Sequence, residues 1–179
     1  EDTFLCSAMA RAIISGEQKG DIGRPDAVIC EPKHYCAHGI AEGGTNCAPA
    51  RAGRREIETC YLPVFEAGIR DGGAYNVMAC YNSIDSEPVM TSHYYLTEVL
   101  KERLGLRGIS RADWGGVSLL MTRHHLTRDR REAVRMAKAA GLDMQGCCDY
   151  PEGEWDEIDG SLIEDGSLSI ESIDESVLR

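Results

Sequence analysis

Residues 105–116 read Gly-Leu-Arg-Gly-Ile-Ser-Arg-Ala-Asp-Trp-Gly-Gly, and they decide the expected fold. A helical pattern of apolar residues spans residues 95–104, and the glycine that follows is placed to end that helix. Residues 108–112 then predict a short strand, which ends directly before Asp113 and Trp114. Ligands and catalytic groups collect at the carboxyl ends of strands in proteins that alternate helices and strands. Asp113 is therefore a candidate functional carboxylate, and the alternative is that it only caps the next helix.

The same alternation of helix and strand continues along the whole chain. Helical patterns cover residues 4–18, 54–71, 95–104, 114–140, 157–164 and 169–178, and strand patterns cover residues 27–30, 74–80, 108–112 and 141–145. No Asn-Gly or Asp-Gly pair separates two alternating runs, so no hairpin is predicted. Regular alternation implies parallel strands joined by right-handed crossovers, in an open doubly wound sheet or in part of a (β/α)8 barrel.

The choice between these two architectures rests on loops and on length. No Gly-x-Gly-x-x-Gly or Walker loop follows a strand, which counts against an open sheet that binds nucleotides. A full barrel takes about 250 residues, so the four predicted strands would make about half of one.

The charge of the chain is unevenly distributed. The net charge is −11, and residues 151–179 carry −9 of it because ten acidic residues stand there against one arginine. A nucleic-acid partner is not expected, since phosphate binding needs a basic face. The one basic cluster consists of Arg123, His124, His125, Arg128, Arg130, Arg131 and Arg135. We expect it to form the solvated face and the start of a helix rather than an anion site.

The cysteines and the first residues bear on the compartment. None of the eight cysteines forms a Cys-x-x-Cys pair, and several lie within apolar patterns. This favours reduced thiols and a reducing compartment, and hence the cytoplasm, over a disulfide framework. Glu1-Asp2-Thr3 does not begin a signal peptide, and no apolar run approaches the ~20 residues that cross a membrane. No membrane partner is expected, and a sequence that opens without Met is expected to be a processed chain or a fragment.

Three predicted strands end in pairs of polar or aromatic side chains. The pairs are Lys33-His34, Tyr81-Asn82 and Asp113-Trp114. In a barrel these side chains would converge on one mouth. A cation, an imidazole, a phenol and a carboxylate can hydrogen-bond sugar hydroxyls, while an indole packs on the sugar ring. The carboxylate can also attack, or electrostatically stabilise, an anomeric carbon.

A longer set of motifs falls in the same order as in a known family. The set comprises Lys33-His34-Tyr35, Ala41-Glu42-Gly43-Gly44, Arg55-Glu56, Tyr61-Leu62-Pro63, residues 77–82, residues 96–100, Gly108, Asp113-Trp114 and residues 140–143. Together they resemble the catalytic barrel of family 3 of the glycoside hydrolases, which includes β-glucosidases and β-xylosidases. The resemblance spans nearly the whole chain.

The resemblance implies an activity and a set of site residues. Asp113 would be the nucleophile of a retaining mechanism that releases sugars from the non-reducing end of a β-linked glucoside or oligosaccharide. Lys33, His34 and Tyr81 would line the pocket of that sugar, and Trp114 would pack beside it. β-Glucosidase is the first expectation and β-xylosidase the second. The resemblance implies no cofactor and no metal.

The second carboxyl of such a mechanism, the acid/base, is not found in this chain. One branch of the family places an Asp-x-His dyad after the Lys-His motif, but the loop of residues 36–47 contains no Asp. In the glucosidase branch, which the Glu42-Gly43-Gly44 motif resembles, the acid/base is a Glu on a second domain. The family's earlier strands, with an Asp and an Arg that bind sugar hydroxyls, are also missing. Residues 1–179 are thus expected to be the second half of a (β/α)8 catalytic barrel.

Other interpretations of these residues stay open. The family's Ser-Asp-Trp reads Arg111-Ala112-Asp113-Trp114 here, a departure beside the nucleophile. Lys33 could instead form a Schiff base, as aldolases do, and His34, Cys36 and His38 could share one face as a metal site. Glu31 is expected to be a strand-end residue rather than a catalytic acid.

The alternative function is non-enzymatic. A truncated or degenerate barrel would bind sugar weakly or merely fold with a partner. Because an open half-barrel exposes strand edges and apolar surface, self-association is expected.

Overall fold

Helices and short strands alternate along the chain in the computed structural model, which describes residues 2–146, 151 and 153–179. The helices are α1 (Thr3–Gln18), α2 (residues 54–71), α3 (Tyr94–Arg103), α4 (Gly116–Thr122), α5 (Arg130–Ala140), α6 (Glu154–Glu164) and α7 (Ile170–Val177). The strands are β1 (Val77–Ala79), β2 (Ser83–Ile84), β3 (Glu87–Pro88) and β4 (Ser110–Ala112). Short 3-10 turns lie at His38–Ile40, Glu42–Gly44 and Val89–Thr91.

Helices α1 and α2 pack closely against each other. Asp2 caps α1, since its side chain accepts a hydrogen bond from the backbone N–H of Leu5 at 2.7 Å. The buried Ile14 of α1 faces Gly68 and Gly72 of α2, where an added Cβ would lie 3.0 Å and 3.1 Å from Ile14 atoms. The two glycines therefore permit the close approach of the helices.

Four chain segments run parallel to one another in the centre of the fold. Strands β1 and β4 pair in parallel, with Met78 opposite Arg111. Tyr35 forms a parallel bridge to β1 and Met144 forms one to β4, which puts one further segment on each side of the pair. An α/β fold with parallel strands, as predicted from the sequence, is confirmed.

The strands differ in extent from the predictions. β1 and β4 are shorter than predicted, and residues 27–30 and 141–145 contribute only bridges or single hydrogen bonds rather than strands. The first paired segment lies later, where Tyr35 donates to the carbonyl of Met78 at 2.8 Å. Pro32 explains part of this difference, because it has no N–H to donate to a ladder.

A β-hairpin connects β1 to α3, although none was predicted. Strands β2 and β3 pair antiparallel across the two-residue turn Asp85-Ser86. Both turn residues have positive φ, 51° and 69°, as the type I′ turn of such hairpins requires. Asp tolerates this conformation without glycine, and the buried flanking residues Ile84 and Pro88 hold the strands in place. The prediction from Asn-Gly and Asp-Gly pairs alone was therefore wrong.

The acidic C-terminal region packs on the basic helix α5. Lys138 lies 3.2 Å from Asp159, and Arg130 lies 2.8 Å from Glu154. The fully buried Leu162 anchors α6 in the core. Two members of the basic cluster, Arg130 and Arg131, thus pair with carboxylates of the tail, Glu154 and Asp165.

Asp143 ties the last parallel segment to three other elements. Its buried carboxylate accepts hydrogen bonds from the backbone N–H of Ser110 at 2.8 Å, from Lys101 Nζ at 2.7 Å and from Ser176 Oγ at 3.0 Å. Burial lowers the pKa of Lys101, and Asp143 opposes that change. The network joins α3 and α7 to Ser110, the first residue of β4.

The six cysteines among the described residues are all free thiols. Cys147 and Cys148 lie outside the described residues. Within the described ranges, no helix is long and apolar enough to cross a membrane.

Candidate active site

Asp113 lies directly after β4, and both of its carboxylate oxygens have a partner. Oδ2 lies 3.0 Å from Nε2 of His34, which belongs to the first parallel segment. Oδ1 accepts a hydrogen bond from the backbone N–H of Trp114 at 2.7 Å. The side chains of His34 and Asp113 are 20% and 15% exposed, so the pair is sheltered but reachable from solvent. The sequence-based expectation that these two strand ends converge is therefore met.

The environment of His34 keeps its imidazole neutral. Burial lowers the pKa of His34, and the neighbouring His38 and Lys33 add to this, while Asp113 opposes it. The rings of His34 and His38 are in contact, with their centroids 4.3 Å apart and their planes tilted by 43°. Because an ionised carboxylate can only accept, Nε2 of His34 carries the hydrogen that is shared with Asp113.

His38 is oriented by the buried Asn82 at the end of β1. Asn82 donates from Nδ2 to the carbonyl of Ala48 at 2.6 Å, which leaves its Oδ1 as an acceptor. Nδ1 of His38 lies 3.2 Å from that Oδ1 and is therefore the protonated ring nitrogen. A series of contacts thus links the loop after the first segment to the imidazole beside Asp113. It runs from Ala48 through Asn82 and His38 to His34.

The side chain of Tyr81 binds the main chain of Trp114. The hydroxyl of Tyr81 donates to the carbonyl of Trp114 at 2.5 Å, and Tyr81 is only 9% exposed. Trp114 is 63% exposed, so its indole presents a large apolar face beside the carboxylate. Tyr81 therefore fixes the backbone that follows Asp113, while the indole is free to receive a ring.

Lys33 is the predicted site residue with the fewest contacts. It is exposed, and within the part of the chain that the structure describes its ammonium group has no hydrogen bond or ion pair. Its charge nevertheless reaches the site, since it contributes to the lowered pKa of His34. The peptide bonds that precede His34 and Cys36 are both cis.

A contact between Cys47 and His124 escaped the sequence analysis. Sγ of Cys47 lies 3.2 Å from Nε2 of His124, and the same nitrogen lies 2.8 Å from the carbonyl of Tyr81. Burial lowers the pKa of His124 and raises the pKa of Cys47. No local pattern could pair these residues, because they belong to different loops that meet only in the folded chain.

The unusual Arg111 is bound by Glu31. Its Nε donates to both carboxylate oxygens of Glu31, at 2.7 Å and 2.8 Å. The side chains are 24% and 19% exposed. Neither the strand-end interpretation of Glu31 nor the departure at Arg111 revealed this pair from the sequence.

Gly146 makes the closest approach to the backbone of Asp113. A Cβ at Gly146 would overlap the carbonyl oxygen of Asp113 and would lie 2.7 Å from its carbonyl carbon. The site therefore requires a residue without a side chain at this position.

The metal alternative finds no support in the described residues. Cys36 is buried, and burial raises the pKa of its thiol well above the ordinary range, which opposes the thiolate that binds metal. Across residues 2–146, 151 and 153–179, no group of three or more His, Cys, Asp or Glu side chains is arranged to bind a metal ion.

A groove of about 690 Å³ lies apart from this cluster. Its walls are formed by the loop after the first segment, the hairpin tip and the start of α3. None of the strand-end side chains around Asp113 lines it. Chemistry and geometry therefore favour the strand-end cluster as the candidate active site, because the convergent carboxylate, imidazoles and indole are located there.

Known proteins resemble this chain over nearly all of its length. The periplasmic β-glucosidase of Salmonella typhimurium is 28% identical over 176 residues, which cover 98% of this chain and 22% of that protein. A β-xylosidase of Formosa agariphila is 30% identical over 146 residues, covering 80% of this chain and 20% of that protein. The crystal structure of the β-glucosidase of Listeria innocua superimposes with a TM-score of 0.91 at 31% identity, over 100% of this chain and 24% of that chain.

The same Listeria innocua enzyme has been solved with glucose, and a variant of it with laminaribiose. This chain spans about a fifth to a quarter of the length of the proteins that it matches. The family model that describes the glycosyl hydrolase family 3 N-terminal domain matches residues 1–179. The chain therefore belongs to glycosyl hydrolase family 3.

Proposed function

We propose that this chain carries the nucleophile of a retaining β-glycosidase and that Asp113 is that nucleophile. The observation that carries the proposal is the position of Asp113 at the end of a parallel strand, with one hydrogen-bond donor on each carboxylate oxygen. Membership of glycosyl hydrolase family 3 supports it.

The proposed reaction has two displacements at one carbon. An oxygen of Asp113 attacks the anomeric carbon, the bond to the leaving oxygen breaks, and a glycosyl-enzyme forms with inversion. Water then attacks the same carbon and displaces Asp113, which gives net retention. His34, as a neutral donor, would orient the carboxylate without neutralising its charge.

The leaving oxygen needs a proton from a second carboxyl, about 5–5.5 Å from the nucleophile in retaining enzymes. The partners given for the two oxygens of Asp113 are an imidazole and a backbone amide, and neither is a carboxyl. We assign the acid/base to a part of a longer protein. In the same proposal, residues 1–179 are the second half of a (β/α)8 barrel, because four parallel segments are half of eight.

The proposed substrate is a β-glucoside or β-linked gluco-oligosaccharide, with β-xylosides second. The β-glucosidases among the matched proteins and the laminaribiose complex of the Listeria innocua enzyme support this order. Trp114 would pack against the ring of the bound sugar, and Lys33, His34 and Tyr81 would line its pocket. Each of these contacts lies on the side of the chain where the strands end.

Hydrolysis of an aryl β-glucoside tests the proposal. We expect little or no turnover by residues 1–179 alone, and turnover by a longer protein that contains them together with the acid/base. In that longer protein Asp113→Ala should abolish turnover, and azide should rescue part of it by replacing the missing carboxylate. An active longer protein that tolerates Asp113→Ala would rule out this nucleophile, and robust turnover by the isolated chain would rule out the missing acid/base.

A further inference from the structure

Two polar contacts cross the sheet side by side. The contact between His34 and Asp113 joins the first parallel segment to the end of β4, at 3.0 Å. The contact between Glu31 and Arg111 joins the same two segments at 2.7 Å. It lies three residues earlier on the first segment and two residues earlier on the other. Both contacts start and finish on the same pair of segments.

Strand β1 lies between the two segments that these contacts connect. Met78 of β1 pairs with Arg111 on one side, and on the other it accepts a hydrogen bond from the backbone of Tyr35. Both contacts therefore pass over β1 on one face of the sheet. Arg111 belongs to β4 and Asp113 follows its last residue directly, two positions further on, so both side chains lie toward that face.

This arrangement puts a guanidinium within reach of the candidate nucleophile. Alternate residues on a strand are about 7 Å apart, which is within the span of an extended arginine side chain. Arginine forms its strongest hydrogen bonds with carboxylates. Glu31 and Asp113 are therefore two carboxylates on one face of the sheet that can both be reached by Arg111.

We propose that Glu31 is a positioning residue that holds Arg111 away from Asp113, so that the carboxylate of Asp113 stays bonded to His34 and does not form an ion pair with the guanidinium. The inference rests on the proposed role of Asp113 as nucleophile. When Glu31 is replaced by Gln, Arg111 turns to Asp113. The carboxylate of Asp113 then loses its contact with His34, and its negative charge is paired with the guanidinium instead of being available for attack.

The titration of His34 reports this change directly. The groups that face His34 are His38, Lys33 and Asp113, and Asp113 alone among them raises its pKa. An arginine bound to Asp113 cancels that effect and adds a positive charge. Capture of Asp113 therefore lowers the pKa of His34.

The experiment is an NMR titration of the imidazole signals of the whole chain. His34 is assigned by the signal that disappears in His34→Gln. In Glu31→Gln, the pKa of His34 should fall by about one pH unit, the effect of losing a close opposite charge. In the double variant Glu31→Gln/Arg111→Leu it should return to the wild-type value, and Arg111→Leu alone should leave it there.

The double variant separates capture from simple disruption. Glu132→Gln, which also removes a carboxylate bound to an arginine, is the matched control and should leave His34 unchanged. The inference is overturned if Glu31→Gln leaves the titration of His34 as in the wild type, or if removing Arg111 fails to restore it. Failure of Asp113 as nucleophile would appear separately, in the turnover of the longer protein, without altering this titration.

Discussion

The Nε2 atom of His34 lies 3.0 Å from Oδ2 of Asp113, and the two residues come from different strand-to-helix units. Opposing effects act on the pKa of His34, because burial and His38 lower it while Asp113 raises it. The net direction is downward, so at neutral pH a neutral donor, not a cation, faces the carboxylate. A neutral donor orients Asp113 and leaves its negative charge available for attack.

Replacing Asp113 with Asn should lower the pKa of His34 further. The substitution keeps the shape of the side chain but removes the one facing charge that stabilises the imidazolium. We expect a fall of about one pH unit, measured by NMR titration of the imidazole. Glu98→Gln, which removes a carboxylate that lies 3.4 Å from the exposed His93, is the matched control and should leave His34 unaffected. An unchanged or raised pKa in Asp113→Asn would contradict the contact.

The alternation of helices and strands could be predicted because it depends on local patterns of apolar residues. The helix before Asp113 was expected at residues 95–104 and is observed at Tyr94–Arg103. Pairing between segments is not local, so the strand ends were less accurate. The hairpin at Asp85-Ser86 was missed because both turn residues adopt the positive φ that is typical of glycine, although neither is a glycine.

The candidate site was predictable only in part, for the same reason. Convergence of His34 and Asp113 follows from the rule that parallel strands end at one edge of a sheet. The contacts that orient them do not follow from any rule of spacing. Asn82 beneath His38 and Glu31 beside Arg111 depend on which side chains meet across β1, and no periodicity encodes that.

Acid should destabilise the fold through His124 in the window below the ordinary histidine pKa of 6.5. Burial lowers the pKa of His124 in the folded chain, so the unfolded chain binds more protons there. The stabilisation is complete above pH 6.5 and is lost as the pH falls through the folded-state pKa. His34 acts in the same direction.

The test is urea unfolding between pH 7.5 and 5.5. His124→Gln keeps an amide that can donate to the carbonyl of Tyr81 but does not titrate, so the free energy of unfolding should depend less steeply on pH. His93→Gln alters an exposed histidine and should keep the wild-type slope. Equal slopes in His124→Gln and the wild type would refute the assignment to His124.

Loss of Lys101 should cost stability because it leaves a buried charge without its partner. The side chains of Lys101 and Asp143 are 10% and 2% exposed. Removing one member of a buried ion pair costs about 3–5 kcal/mol, and the lower end is expected because Ser110 and Ser176 still donate to Asp143. Lys101→Met is compared with the wild type by urea unfolding.

An exposed ion pair supplies the control for this prediction. Arg51 and Glu42 form a pair at 2.9 Å with side chains that are 78% and 49% exposed. Arg51→Gln should leave the free energy of unfolding nearly unchanged, because solvent screens such pairs. If Arg51→Gln and Lys101→Met lowered the free energy of unfolding by similar amounts, burial of the pair between Lys101 and Asp143 would not explain the loss.

Gly146→Ala should displace the backbone of Asp113 and destabilise the fold. The new Cβ would overlap the carbonyl oxygen of Asp113, so either that backbone or the segment that carries residue 146 must move. Overpacking of this kind costs about 1–3 kcal/mol of stability, and a displacement of the nucleophile by 1 Å lowers kcat by about 100-fold. Gly39→Ala is the control, since an added Cβ there meets no atom within 4 Å. Urea unfolding measures the first effect, and aryl β-glucoside turnover by the longer protein measures the second. Full activity in Gly146→Ala would mean that the backbone of Asp113 is not held against residue 146.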